Sequence, residues 1–299
     1  MNLKKLLLPL RLVRELHRYV KRLENHFAGL RRDTLLAEGK YQDPLSLPAY
    51  GYRIYSQNEE DGMIQEIFKR IGVTNKQFIE FGVGDGLENN TLALLFQGWS
   101  GLWIEGNSDY VKKICQGLPQ TISSGQLKVV NSFITRDNIN ELITSNTDGS
   151  EIDLLSVDID GNDAHVLSAI QNTTSRVIII EYNSKFPPPI SYCMKYDVNH
   201  VWKLDDSYGA SLSYLVELLA ERGYSLVGCS LAGVNAFFVR NDLVGDKFQA
   251  PFTAEQHYEP ARSEFSQPAN GHPASYAALE NNDIRMKDGR PSFNYYKGK

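Results

Sequence analysis

The apolar positions of the first thirty residues recur at intervals of three and four: Leu3, Leu6, Leu10, Val13, Leu16, Val20, Leu23, Phe27 and Leu30, with Arg and Lys between them. That spacing predicts an amphipathic helix over residues 3 to 30, with Pro9 either kinking it or marking its true start. "YQDPLSLPAYGYR" (41 to 53), with its two prolines and a glycine, reads as a linker. The period then changes. "EDGMIQEIFKRI" (60 to 71) predicts a helix with Ile64, Ile67, Phe68 and Ile71 on one face. Beyond it, short apolar runs alternate with helical stretches. "KQFIEFG", "SGLWIEGN", "QLKVVNSFI", "IDLLSVDIDG" and "SRVIIIEYN" predict five strands. Between or after them, helices are expected at "TLALLFQG" (closed by Gly98), at residues 108 to 117, at "AHVLSAI" and at "SLSYLVELLAERG". "YSLVGCS" and "GVNAFFVR" complete the strands, and the short "SLAG" turn between them predicts an antiparallel hairpin at one edge.

Strands that alternate with helices imply right-handed crossovers and an α/β fold with a mainly parallel sheet. Residues 241 to 299 are rich in polar residues, Pro, Gly and Asn, with scattered aromatics, and read as an irregular extension able to drape over the domain. The expected organisation is therefore a helix and linker at 1 to 48, a domain at 49 to 240 and an extension at 241 to 299.

Charge changes this picture at the N-terminus. The chain of 299 residues carries a net charge of -5, yet residues 1 to 48 hold ten Lys/Arg against five Asp/Glu. The acidic remainder argues against a nucleic-acid partner, which selects for a basic excess. The basic helix either packs on the domain, pairs with another copy, or lies on an anionic membrane surface. The stretch "MNLKKLLLPLRLVREL" imitates a signal peptide, but Pro9 and Arg11 interrupt it and no small-residue cleavage site follows. Cys115, Cys193 and Cys229 are odd in number and far apart, with neither metal spacing nor a disulfide framework. The expectation is a cytoplasmic protein, with peripheral contact at the inner membrane face open to it.

"FIEFGVGDGLENNT" (78 to 91) carries the chemistry. Gly82, Gly84 and Gly86 follow a predicted strand, where bare backbone lets a ligand approach closely. Their spacing is G-x-G-x-G, and Leu87 stands where a dinucleotide fingerprint has its third glycine. Glu80, at the strand end, is a poor neighbour for a pyrophosphate and suits an ammonium or sulfonium. Glu105 ends the next strand, nineteen positions beyond Gly86, where an acid accepts hydrogen bonds from ribose hydroxyls. A ligand cationic at one end and a nucleoside at the other has the shape of S-adenosylmethionine. Asp85, Asn107, Asn131 and Ser132 stand at the same strand ends and complete the expected cofactor set. Gln57, in "SQNEEDG", is expected to close over the cofactor from the N-terminal side, and the Glu59-Glu60-Asp61 run is either part of that cover or a solvated helix start.

"SQNEEDGMIQEIF", "FIEFGVGDGLENNT", "GWSGLWIEGN", "DLLSVDIDGND", "IIIEYN" and "GVNAFFVR" together resemble the FkbM-type methyltransferases of the class I, Rossmann-like group, over about residues 50 to 240. The resemblance implies a seven-stranded sheet with a reversed last strand. It also implies S-adenosylmethionine-dependent methyl transfer, usually to an oxygen of a sugar or natural product.

Methyl transfer to a hydroxyl needs the acceptor oxygen behind the methyl group and help in losing its proton. The fourth strand ends in "DIDGND" and the fifth in "EYN", which brings Asp158, Glu181 and Asn183 together at the mouth. Three oxygen ligands suit Mg²⁺ or Mn²⁺, and metal-dependent class I O-methyltransferases similarly use an acid after strand four with an acid and an amide after strand five. Here the latter pair is Glu-Tyr-Asn instead of adjacent residues. Without a metal, these acids bind the substrate, cap the next helix (Asp163) or orient a base. Asp158, Asp160, His165 and His200 are the candidates for proton transfer. The long insert at 185 to 211 is expected to shape the acceptor pocket, with Tyr192, Tyr196 and Trp202 stacking on a carbohydrate or glycolipid. Two rivals stay open: a nucleotide-dependent oxidoreductase, and a catalytically silent scaffold of a glycan-assembly complex.

Overall fold

The computed structural model describes residues 3–149, 151–202, 205–265 and 274–280. Helix α1 (Leu3–Leu36) runs on through Pro9 and ends six residues later than its apolar period suggested. Its C-terminal end is rooted in the body. Leu35 packs with Tyr41 and Leu231, and the Arg32 guanidinium donates to the Gly51 carbonyl (2.6 Å). The stretch expected to be a linker is instead packed. It forms two short 3-10 turns at Gly39–Tyr41 and Pro48–Tyr50, and Leu47 between them is fully buried against Gly228. An apolar residue flanked by prolines can serve as a plug as readily as a spacer.

Next come α2 (Glu60–Ile71), β1 (Gln77–Phe81), α3 (Leu92–Leu95), β2 (Ser100–Glu105), α4 (Ser108–Gly117), α5 (Pro119–Ser123), β3 (Leu127–Asn131) and α6 (Ile139–Thr144). The second half holds β4 (Ile152–Val157), α7 (Asp163–Ala169), β5 (Ser175–Glu181), α8 (Leu212–Glu221), β6 (Tyr224–Cys229) and β7 (Asn235–Arg240). Short helices α9 (Asn241–Val244), α10 (Ala254–His257) and α11 (Ala277–Glu280) lie in the extension. Helices α5 and α6 have too few turns to show a period, and the sequence did not display them.

The seven strands form one sheet in the order β3-β2-β1-β4-β5-β7-β6. All neighbours are parallel except β7, which runs antiparallel to both β5 and β6. This is the Rossmann-like sheet with a reversed final strand that the resemblance implied. Its central strands are apolar on both faces, as a parallel sheet covered on both sides requires. Ile79, Leu155, Ile178 and Phe238 meet α7 and α8, whereas Phe78, Leu154, Ile179 and Phe237 meet α2 and α3.

The same period of two decides the site. Glu80 shares a face with Phe78, Glu105 with Trp103, and Glu181 with Ile179, so the three glutamates stand on the α2 side near the carboxyl rim. Among the described residues, no helix is long and apolar enough to cross a membrane. The described parts of the extension lie on the domain, with Val244, Phe248, Ala254, His257 and Glu259 buried.

Candidate functional site

The loop after β1 is built to lie flat on its neighbours. Gly82, Gly84 and Gly86 have φ of +71°, +57° and +74°. At Gly82 the need for glycine is absolute. A Cβ there would come within 1.6 Å of the Asp158 carbonyl oxygen at the end of β4. Glu105, on the adjacent strand, holds this loop from the other side. One carboxylate oxygen accepts from the Gly84 N–H (2.8 Å) and the other from the Asn107 N–H (2.7 Å). Each oxygen keeps a lone pair for a further donor. Asn107 caps α4 by accepting from the Asp109 N–H (2.9 Å). The Asn131 amide donates to the Glu105 carbonyl (2.8 Å), and the Ser132 N–H donates to the same carbonyl (3.0 Å). These two polar residues therefore fix the rim beside Glu105. Asp85 accepts from Leu87 within the loop.

Glu80 is placed differently from expectation. It is buried, with one oxygen accepting from the Asn90 N–H (2.9 Å) and the other from the Thr91 hydroxyl (2.5 Å). Thr91 in turn accepts from the Trp103 indole N–H (2.7 Å), and the Asn90 amide donates to Ser156 (3.0 Å). Burial pushes Glu80 up to about 7, against the pull of these hydrogen bonds. Its carboxylate ties the end of the glycine loop to β1 and, through Asn90, to β4. Asn90, Thr91 and Ser156 were missed as members of this network. The signal for Asn90 and Thr91 was present in the polar "ENNT" that follows the glycines closely.

Gln57 is exposed and its neighbours are not. Asp61 accepts the N–H groups of Ile54, Tyr55 and Ser56 (2.6 to 2.8 Å), and Glu60 binds Asn58 and Asn235. Glu59 accepts from the Ala232 N–H (3.3 Å). The acidic run is thus not a solvated helix start. It is a buried brace that joins the entry of α2 to the β6–β7 turn.

Beside the glycine loop lies an acidic mouth. Asp158, Asp160 and Glu181 present carboxylate oxygens within 4.8 Å of one another. Burial, then the neighbouring acids Asp163, Asp160 and Glu80, push Asp158 well above the usual carboxylate range. Burial and then Asp158 do the same to Glu181. Burial raises Asp160, with His200 opposing. Asp160 has φ +57°, and the turn that carries it is held by Asp163, which accepts from the Ile159 N–H (2.7 Å) and the Gly161 N–H (2.8 Å).

Asn183 does not join this group. β5 ends at Glu181, and the buried Asn183 amide donates to the carbonyls of Asp206 (2.9 Å) and Tyr208 (3.0 Å), where it anchors the insert. The third oxygen donor is Asp160 in its place. His165 and His200 are both committed at Nε2, which donates to the Met194 carbonyl (2.7 Å) and the Asp160 carbonyl (3.1 Å) respectively. His200 also lies flat on Gly161, where a Cβ would meet its ring at 2.2 Å. In that tautomer the remaining lone pair of each ring lies on Nδ1.

In the insert, Tyr192 stacks on Phe186 (4.2 Å between ring centres) and Tyr196 lies under Arg136 (3.8 Å). Trp202 meets Tyr208 edge-on. These aromatics are thus engaged with one another as well as with solvent. Tyr208, unmarked in the sequence, is raised by burial first and then by Glu181 and Asp158.

No protein-family model and no curated protein matches the chain. Solved structures do. Magnesium protoporphyrin IX methyltransferase from Synechocystis PCC 6803, with bound SAM, aligns at 12% identity and a TM-score of 0.42, over 71% of this chain and 96% of that one. The N-terminal domain of EvdMO1, in the presence of SAH and D-fucose, aligns at 14% and 0.40, over 75% and 94%. The methyltransferase domain of bacterial CtHen1-C aligns at 14% and 0.39, over 62% and 97%. At that distance none of them bears on what this chain binds.

Proposed function

We propose that this chain is an S-adenosylmethionine-dependent O-methyltransferase of the FkbM type that methylates a hydroxyl of a sugar or glycan. One observation carries the reading: a glycine loop of positive φ, gripped by Glu105 from the next strand, opens beside three clustered carboxylates on one rim of a sheet with a reversed last strand. Ligands bind at the carboxyl rim of such sheets.

The residues divide the work by position. Gly82 and Gly84 leave room for a nucleoside to lie against the backbone, and the remaining lone pairs of Glu105 take its ribose hydroxyls. S-adenosylmethionine, held there, would supply a methyl group on a sulfonium whose sulfur would retain the bonding electron pair. The acids beside it receive the proton that the hydroxyl loses. A carboxylate whose affinity for protons has been raised by burial is a better base at neutral pH. Asp158, Asp160 and Glu181 also fit a divalent cation, because three mutually repelling carboxylates within one coordination sphere are relieved by one. Mg²⁺ or Mn²⁺ held there would lower the pKa of an acceptor hydroxyl.

Glu105→Ala tests the cofactor site. Loss of S-adenosylhomocysteine binding by calorimetry, with the unfolding transition kept, is expected; undiminished binding refutes the site.

A further inference from the structure

Helix α1 leaves the body as an arm. Its root is fixed at Arg32 and Leu35, but Val13, Leu16, Val20, Leu23, Phe27 and Leu30 are all between 38% and 63% exposed. Leu12 and Tyr19, exposed at 58% and 59%, fall on the same side. Together they make an unbroken apolar face that spans an arc of about 120° around the helix. The arc holds two aromatics, Tyr19 and Phe27. Arg14, Arg18, Lys21 and Arg22 stand on the opposite side, and Arg31 lies at the edge of the arc.

Charge selects what covers this face. Helix α1 contributes +6, from nine Lys/Arg against three Asp/Glu, to a chain of net charge -5, which leaves -11 for everything else. Anionic headgroups therefore attract the arm and repel the body, so that contact is made through α1. A second copy brings the same excess of cations, and charge opposes its pairing along this face. A broad apolar arc with aromatics and a cationic back is the form of a helix that lies in the interface plane. Its apolar side chains enter the acyl boundary, and the long stems of Arg and Lys reach back to the phosphates. Because α1 is not long and apolar enough to cross a bilayer, it lies along the surface.

We infer that α1 docks this chain on an anionic lipid surface, with its apolar arc turned toward the acyl chains. The inference is independent of the methyl-transfer reading, and its test uses no cofactor. The full chain is co-sedimented with vesicles of phosphatidylglycerol and, separately, of phosphatidylcholine. It is expected to pellet with phosphatidylglycerol and to partition at least about ten-fold more weakly onto phosphatidylcholine. Leu16→Glu/Leu23→Glu is expected to lose at least about a hundred-fold of the partition, with an unchanged thermal transition. Arg18→Glu/Arg22→Glu keeps the apolar arc and is expected to lose about ten-fold or more. A parent chain that stays in the supernatant overturns the inference, and so does equal partition onto the two lipids. A leucine variant that pellets like the parent assigns the contact to another surface and overturns it as well. So does a parent that dimerises in sedimentation equilibrium, loses that dimer in the leucine variant, and leaves the vesicles bare.

Discussion

The ring of Tyr276 occupies the space that a Cβ on Gly117 would fill, at 2.4 Å from its Cδ2. A glycine in the last turn of a helix costs about 1 kcal/mol against alanine. At Gly117 that cost is offset by a contact with a residue 159 positions away. The same tyrosine stands 2.6 Å from where a Cβ on Gly86 would be, lies against Trp103, and donates its hydroxyl to the Asp85 carbonyl. Four residues on, Glu280 accepts from the N–H groups of Gln120 and Thr121 at the start of α5. The extension thus buttresses the glycine loop from behind.

Gly117→Ala should therefore expel the ring and loosen the loop. The expected result is weaker S-adenosylhomocysteine binding, by several-fold in calorimetry, from a chain whose sheet still unfolds cooperatively. Tyr276→Phe keeps the ring and removes one hydrogen bond, so its cost should be smaller, about 1 kcal/mol. If Gly117→Ala bound the ligand like the parent, the buttress would have no bearing on the loop.

Glu80 predicts a pH dependence of stability. Its ordinary value is 4.5 and burial holds it at about 7 in the fold. The folded state prefers the protonated form, so the group's contribution is complete below about pH 4.5 and is lost as pH rises toward 7. The loss amounts to about 3 kcal/mol. Glu80→Gln keeps an acceptor for the Asn90 N–H and removes the titration. Urea unfolding at pH 5 and pH 8 should show the variant gaining on the parent at the higher pH; parallel curves would reject this.

Much of the frame was legible because it rests on local periodicity. α2 and α4 were bounded correctly, α2 by its apolar spacing, and the strands by apolar runs ending in Gly or polar residues. Less legible was anything set by a backbone dihedral or by a distant partner. Asp160 enters the acidic cluster through a positive φ that no composition displays, and Asn183 leaves it because carbonyls from the insert capture its amide. Glu80 was read as a ligand-facing acid at a strand end, and the polar loop ten residues on folds back to bond its carboxylate. Tyr276 carried no signal at all, since its partners lie in other elements.

The acidic mouth predicts a selective metal response. Calorimetry with Mn²⁺ should show binding to the parent chain, a loss of at least about ten-fold for Asp158→Asn or Asp160→Asn, and little change for Asn183→Ser. Asn183→Ser should instead lower the unfolding temperature, because it leaves the carbonyls of Asp206 and Tyr208 without their donor, at about 1–3 kcal/mol. The reverse ranking would restore Asn183 as a ligand and remove Asp160.

His257 predicts where acid first acts. It is buried in the extension, its Nε2 finds no hydrogen-bond partner among the described residues, and burial, with Lys40 adding to it, lowers it from 6.5 to about 4. The fold therefore favours the neutral ring. Its stabilising share is complete above about pH 6.5 and is lost as pH falls toward 4, by about 3 kcal/mol in all. The charge would appear beside a segment pinned by Lys40, whose ammonium donates to the Tyr258 carbonyl and to Glu259 (2.8 Å each). Protonation sets two cations against each other there. Limited proteolysis near pH 4.5 should consequently cut the 241–265 segment before the sheet opens, and His257→Gln should delay that cut while leaving the rate at pH 7.5 unchanged. Cleavage of parent and variant at equal rates in acid would show that some other group releases the segment.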